Sequence, residues 1–245
     1  ASRKDARDAV LAARSAVAKW SAATAYNRGQ VLYRIAEVME GRREQFISEV
    51  SDSEGVSSRK AGAHVDAAID RWVWYAGWAD KYAQVIGNTN PVAGPFFNFS
   101  VPEPTGVVAA VAPQDANVLG LVSVVAPIIV TGNAVIVMPS SSRPIPAITL
   151  AECLATSDVP AGVVNILTGA PAEVMPWLAE HADVNALDLT GIVDEGVAAD
   201  LERSAAGTVK RVRGAAPHAD WHATPSLSRM RAFVEVKTVW HPMGV

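Results

Sequence analysis

Cys153 is the chain's one thiol, and a thiolate exposed in a crevice would be a nucleophile. Its surroundings, AITLAECLATSD, read as a crossover helix, where a cysteine is a small buried core residue and chemically inert. His218 and His222 stand four apart with Asp220 between them, a spacing that could ligate a metal on a helix. Pro217 and Pro225 bracket them, which predicts a solvated loop instead. His64 and His181 stand alone on predicted helices and are expected at surface or cap positions, with Arg42 and Arg43 on a solvated helix face. Gln114 and Asp115 raise the sharper question. They follow the apolar run GVVAAVAP, so an acidic group lies at the rim of a hydrophobic domain, where ligand crevices form.

The elements that position these groups follow from periodicity. Segments 4–20, 24–54 and 57–87 carry apolar residues at three- and four-residue spacing and are predicted helical. Trp72, Trp74, Tyr75 and Trp78 cluster in the third and are expected to serve packing. The texture changes at GNTNPVAGPFFNFSVPEP, residues 87–104, an extended arm or hairpin bounded by glycine and proline. From 105 to 214, β-branched runs alternate with helical patterns: GVVAAVA, NAVIVM, GVVNILTG, VNALDLTG and TVKRVRG read as strands. That alternation predicts an α/β fold, a doubly wound parallel sheet of Rossmann-like type. Residues 215–230 read as a loop. Residues 231–245 contain FVEVKTVW, an alternating strand with no following helix and no obvious place in the parallel sheet. The expected organisation is therefore a helical segment 1–86, an arm 87–104, a core 105–214, a loop 215–230 and a C-terminal strand 231–245.

Composition excludes several classes of function. A chain of 245 residues, half of them apolar, can bury a large core. A net charge of −4 provides no basic footprint for nucleic acid. The most apolar run, 116–138, is broken by Pro127 and by Thr131-Gly132-Asn133, so no membrane span is expected. One cysteine permits no internal disulfide and suits a reducing, cytoplasmic setting.

Four ordered stretches, FFNFSVPEPTGVVAAVAP, GNAVIVMPSS, DVPAGVVNILTG and DVNALDLTGIVDEG, resemble the NAD-binding half of the aldehyde dehydrogenase superfamily. The resemblance extends over about residues 5–217, and EVKTVWHP resembles the family's last strand. It implies cofactor-binding positions at Pro113, Met138, Pro139, Ser140, Gly169, Gly191 and Ile192, and it also implies that they are degraded. The oxyanion-holding amide falls on Asp115, whose charge would oppose a developing oxyanion. The lysine of the family's KPSE pattern falls on Met138, the serine of TGS on Ile192, and the general-base glutamate of ELGGK on Arg211. Asp194 and Glu195 would oppose a phosphate at the helix that follows. The family's thiol lies in a second domain, and here the glutamate position and the last strand are about twenty residues apart, so that domain is expected to be absent.

The resemblance therefore implies a pseudoenzyme with no catalytic residues of its own, no metal and no required cofactor. It is expected to be a structural or regulatory subunit of an active NAD(P)-dependent aldehyde dehydrogenase. Phe97, Phe99, Phe233, Val236 and Trp240 are the expected partner contacts, with the last strand added to a neighbour's sheet and Glu235 and Lys237 fixing its register. The alternatives are a regulatory module that holds NAD(P) without turnover, or an aldehyde-oxidising oxidoreductase active only within a heteromeric complex.

Overall fold

Ser2, Thr24 and Ser57 each accept a hydrogen bond from the backbone N–H three residues on, and each starts a helix. The computed structural model describes residues 1–244; Val245, the last residue of the predicted C-terminal strand, lies outside the described residues. The N-terminal helices are α1 (Arg3–Ala22), α2 (Ala25–Gly41), α3 (Arg43–Glu54), α4 (Ser58–Trp78) and the short α5 (Tyr82–Ile86). Strands β1 (Asn88–Asn90), β2 (Phe96–Pro104) and β3 (Val107–Val111) follow. Next come α6 (Leu119–Val130), β4 (Ala134–Met138), α7 (Ile145–Ala155), β5 (Val164–Ile166), α8 (Pro171–Glu180) and β6 (Ala186–Asp188). The chain continues through α9 (Glu195–Ala206), β7 (Arg211–Arg213), α10 (Ser228–Arg231) and β8 (Val234–Pro242).

Five strands form one parallel sheet in the order β5-β4-β3-β6-β7, the doubly wound architecture expected. Alternation along β3 builds a core on each face. Val108 and Ala110 face α2, α3, α4, α6 and α7, while Val107, Ala109 and Val111 face α1, α8 and α9. Helix α6 is buried along its whole length, so its terminal carbonyls need partners other than water. The Trp20 indole donates to the Ile129 carbonyl at 2.8 Å, and the Arg28 Nε donates to the Val130 carbonyl at 2.9 Å. Among the described residues, no helix is long and apolar enough to cross a membrane.

Four expectations are corrected by the structure. Segment 24–54 is two helices, interrupted at Arg42. Gly41 weakens the helix by about 1 kcal/mol relative to alanine, and the Arg42 side chain turns out to bond Glu152 of α7 at 2.6 Å. Arg43 forms a two-pronged pair with Asp66, at 2.6 and 2.9 Å. These arginines therefore bolt helices together and are not an unpartnered solvated face. Segment 57–87 likewise ends its long helix at Trp78 and resumes only as α5.

The fourth correction concerns the tail. β8 has a place in its own chain: it pairs antiparallel with β2, forming a second sheet in the order β1-β2-β8. The charges expected to read a neighbour's register are engaged internally. Lys237 bonds Glu103 at 2.7 Å, and Glu235 meets the guanidinium of Arg211, whose Nη2 lies at 2.7 Å. That guanidinium holds the Glu235 carboxyl below the usual range. Phe233, expected as a partner contact, is fully buried beside α6 and cannot meet a partner. Register also separates the others. Phe97 and Phe99 share one face with Val239, whereas Val236 and Trp240 lie on the opposite face with Pro102 and Asn98.

Candidate functional site

The strand order reverses between β3 and β6, and a crevice of about 230 Å³ opens beyond their C-terminal ends. Pro113, Gln114, Asp115, Thr190, Gly191 and His218 line it. Ligand pockets span about 300–1,000 Å³, so this one is small. Gly191 shows why: a Cβ there would lie 2.0 Å from the Ala112 carbonyl oxygen, because the two loops are packed backbone to backbone.

Gln114 closes the neighbouring strand end. Its Nε2 donates to the Ala112 carbonyl at 2.8 Å, and its Oε1 accepts from the Ser141 N–H at 2.9 Å. Its backbone carbonyl accepts from the Ser140 hydroxyl at 2.9 Å. The loops after β3 and β4 are thus tied by the chain's own donors. Asp115 stands exposed at the rim. Asn117 turns away, its N–H donating to Glu54 at 3.1 Å and its Nδ2 to Ser53 at 2.9 Å.

The structure brings only some of the predicted cofactor positions together. Pro113 and Gly191 share the crevice, and Ser140 meets Gln114 beside it. Met138 and Pro139 are buried, with Met138 in the α1–α8 core. Ile192 is buried in that same core. Gly169 lies elsewhere, with a left-handed φ of 136° and room for a Cβ blocked by the Ala1 nitrogen at 2.8 Å. At the start of α9, Asp194 caps the Val197 N–H at 3.0 Å, and Glu195 adds a second negative charge in the first turn. Both disfavour an anion there.

Cys153 is fully buried on α7, and burial raises its thiol above the ordinary value against the pull of Arg42. Arg211 lies on β7 paired to Glu235. Among the described residues, no group of three or more histidine, cysteine or acidic side chains could hold a metal ion.

Two clusters escaped the sequence reading. His64 is no isolated surface residue: its Nδ1 lies 3.2 Å from Glu54, and its ring is 4.9 Å from that of His222. Burial is the largest influence and lowers its pKa. Glu54 pulls the other way, and His222 and Lys60 add to the lowering. Proximity to Glu54 alone would argue for a charged imidazole, but desolvation outweighs it in this partly buried setting. The unfolded chain therefore binds this proton at a higher pH than the folded one. Stability is expected to fall as the pH drops below about 6.5. Thermal unfolding across that range should show the decline, and His64→Gln should flatten it.

The second cluster centres on Asp188, buried at the end of β6 and paired with Arg229 at 3.3 Å. The visible signal was an acid inside the apolar strand VNALDLTG, which demands a partner.

A model described as the aldehyde dehydrogenase family matches residues 1–214. The chain is 32% identical over 218 residues to aldehyde dehydrogenase, cytosolic 1, of Elephantulus edwardii, covering 86% of this chain and 42% of that protein. It is 33% identical over 211 residues to cytosolic 10-formyltetrahydrofolate dehydrogenase of Xenopus tropicalis, covering 83% and 23%. Among solved structures it matches betaine aldehyde dehydrogenase of Staphylococcus aureus in complex with NAD+, with a TM-score of 0.80 and 28% identity over 86% of this chain and 42% of that one. The chain thus spans less than half the length of these relatives.

Proposed function

The chain belongs to the aldehyde dehydrogenase family, and from that footing we propose that it is a pseudoenzyme, a non-catalytic subunit that assembles with an active NAD(P)-dependent aldehyde dehydrogenase. One observation carries the reading. β8 closes onto β2 along one side, no strand of the described residues pairs with its other side, and Val236 and Trp240 stand 50% and 58% exposed on one face of the strand. An open nine-residue edge is a template for another strand. Phe97, 47% exposed and packed against Phe99, presents an aromatic patch on the other face of the same sheet.

The lack of turnover rests on residue chemistry. The one thiol is buried away from the crevice, a carboxylate stands where the family places its amide, and a guanidinium committed to Glu235 stands where it places its base. A guanidinium does not take up a proton from water. Nor do Met138 and Ile192, both buried and apolar, offer a ribose or phosphate donor, so a productive hold on NAD(P) is not part of the reading. A reducing, cytoplasmic setting fits the single free thiol.

The test is the mass of the native complex. This chain is expected to appear with a larger dehydrogenase subunit. The variant Val236→Lys with Trp240→Ser is expected to leave the complex while keeping its far-UV circular dichroism, since a charge on the edge blocks strand addition. Recovery of the native chain always as a monomer would sink the proposal. On the chemical side, Asp115→Asn with Arg211→Glu is expected to yield no aldehyde-dependent NADH, because neither change supplies a nucleophile. The crevice at the sheet's switch point favours a second reading, a module that holds NAD(P) without turnover. Calorimetric binding of NAD or NADP at millimolar concentration would support it, and silence would remove it.

A further inference from the structure

Two polar groups are buried without a protein partner close to one another: the Tyr75 hydroxyl and Arg213 Nε. Both line a cavity of about 180 Å³ between α4, the end of β7 and the loop that carries Trp221. Two more guanidiniums line it. Arg71 Nη2 donates to the carbonyls of Trp221 and Ala223 at 2.7 and 3.2 Å. Arg229 stacks 4.8 Å over the Trp221 ring and donates through Nη1 to Asp188 at 3.3 Å. A void bounded by unpaired donors asks for an acceptor.

Charge points the same way. Three guanidiniums face two carboxylates: Asp188, held by Arg229, and Asp220 at the exposed rim, bonded to the His222 N–H at 3.0 Å. One positive charge is left over in a site where Arg71 is 8% exposed and Tyr75 fully buried. Burial pushes the phenol up to about 12, against the pull of the three arginines, so it remains a hydrogen donor at neutral pH. Burial also lowers the Arg71 and Arg229 guanidiniums, with Arg213 and Arg71 adding to the lowering at Arg229. Like charges this close are relieved by an anion between them.

We propose that this cavity binds a phosphate-sized oxyanion, held by Arg213 Nε and the Tyr75 hydroxyl within the field of Arg71 and Arg229. Guanidinium forks suit the oxygen geometry of such a group. The anion would pin the Trp221 loop, whose carbonyls Arg71 already holds, onto α4. The inference does not rest on the assembly role and concerns a site away from the open edge of β8.

Calorimetry of the whole chain with inorganic phosphate, at ionic strength fixed with chloride, tests it. One site per chain is expected, together with a phosphate-dependent rise in the unfolding temperature. Tyr75→Phe keeps the ring and removes only the hydroxyl, and should weaken binding severalfold. Arg213→Gln should weaken it about tenfold or more. Arg203→Gln, an exposed change on α9, should have no effect. Circular dichroism checks folding, and the conservative tyrosine variant keeps the test decisive if the arginine variant unfolds. No phosphate effect beyond that of chloride would overturn the proposal. So would binding unchanged in both Tyr75→Phe and Arg213→Gln, or acetate binding as tightly as phosphate.

Discussion

Phe233→Ala is expected to cost about 3–5 kcal/mol of folding stability, the range for emptying a buried aromatic site. Phe233 is fully buried beside α6. Its backbone is fastened on both sides: its carbonyl accepts from the Thr105 N–H at 3.2 Å and from Asn133 Nδ2 at 2.8 Å, and its N–H donates to the Met230 carbonyl at 3.2 Å. The site cannot collapse easily, so a cavity should remain. Trp240→Ala, in the same strand but 58% exposed, should change stability by no more than about 0.5 kcal/mol. Urea denaturation of both variants decides the matter, and equal losses would show that the tail does not plug the core. The same geometry limits any truncation. Removing the chain from 232 onward takes Phe233 and Val234 out of the core, so an informative cut starts at Val236.

Asp188→Asn should be comparably damaging, at about 3–5 kcal/mol, because it leaves Arg229 buried without its counter-charge. The pair's side chains are 1% and 11% exposed, and Asp188 also accepts from the Thr190 hydroxyl and, at 3.0 Å, from the Thr190 N–H. Asparagine keeps the shape and one acceptor, so the loss reports the charge. Removing both charges with Asp188→Leu and Arg229→Met should recover much of the stability, since apolar replacement of a buried pair is often neutral. Chemical denaturation of the single and double variants completes the cycle. A loss below about 1 kcal/mol in the single variant would mean that this pair does not hold the loop from Pro217 to Arg231 against the sheet.

Local pattern alone carried much of this architecture. The β-branched runs became the buried parallel strands β3 and β4, and the continuous apolar run GVVAAVA matches a strand with a core on each face. The burial of Cys153 was likewise legible from the elements around it. These features depend on neighbours a few residues away, which is the range over which periodicity operates.

Tertiary structure decided what depends on distant partners. FVEVKTVW reads as a strand, but nothing within it says that β2, some 140 residues earlier in the chain, supplies the pairing edge, or that Arg211 and Glu103 neutralise its charges. The side of the sheet on which Phe233 lies is set by the anchoring of its backbone to Thr105 and Asn133. The acid in VNALDLTG announced that it needed a partner, but only folding brought Arg229 to it, along with Tyr75, Arg71 and Arg213 around one cavity. Backbone periodicity is a property of consecutive residues. Charge pairing and strand-edge choice are properties of the folded chain, where low dielectric and the demand for hydrogen-bond partners select among distant residues.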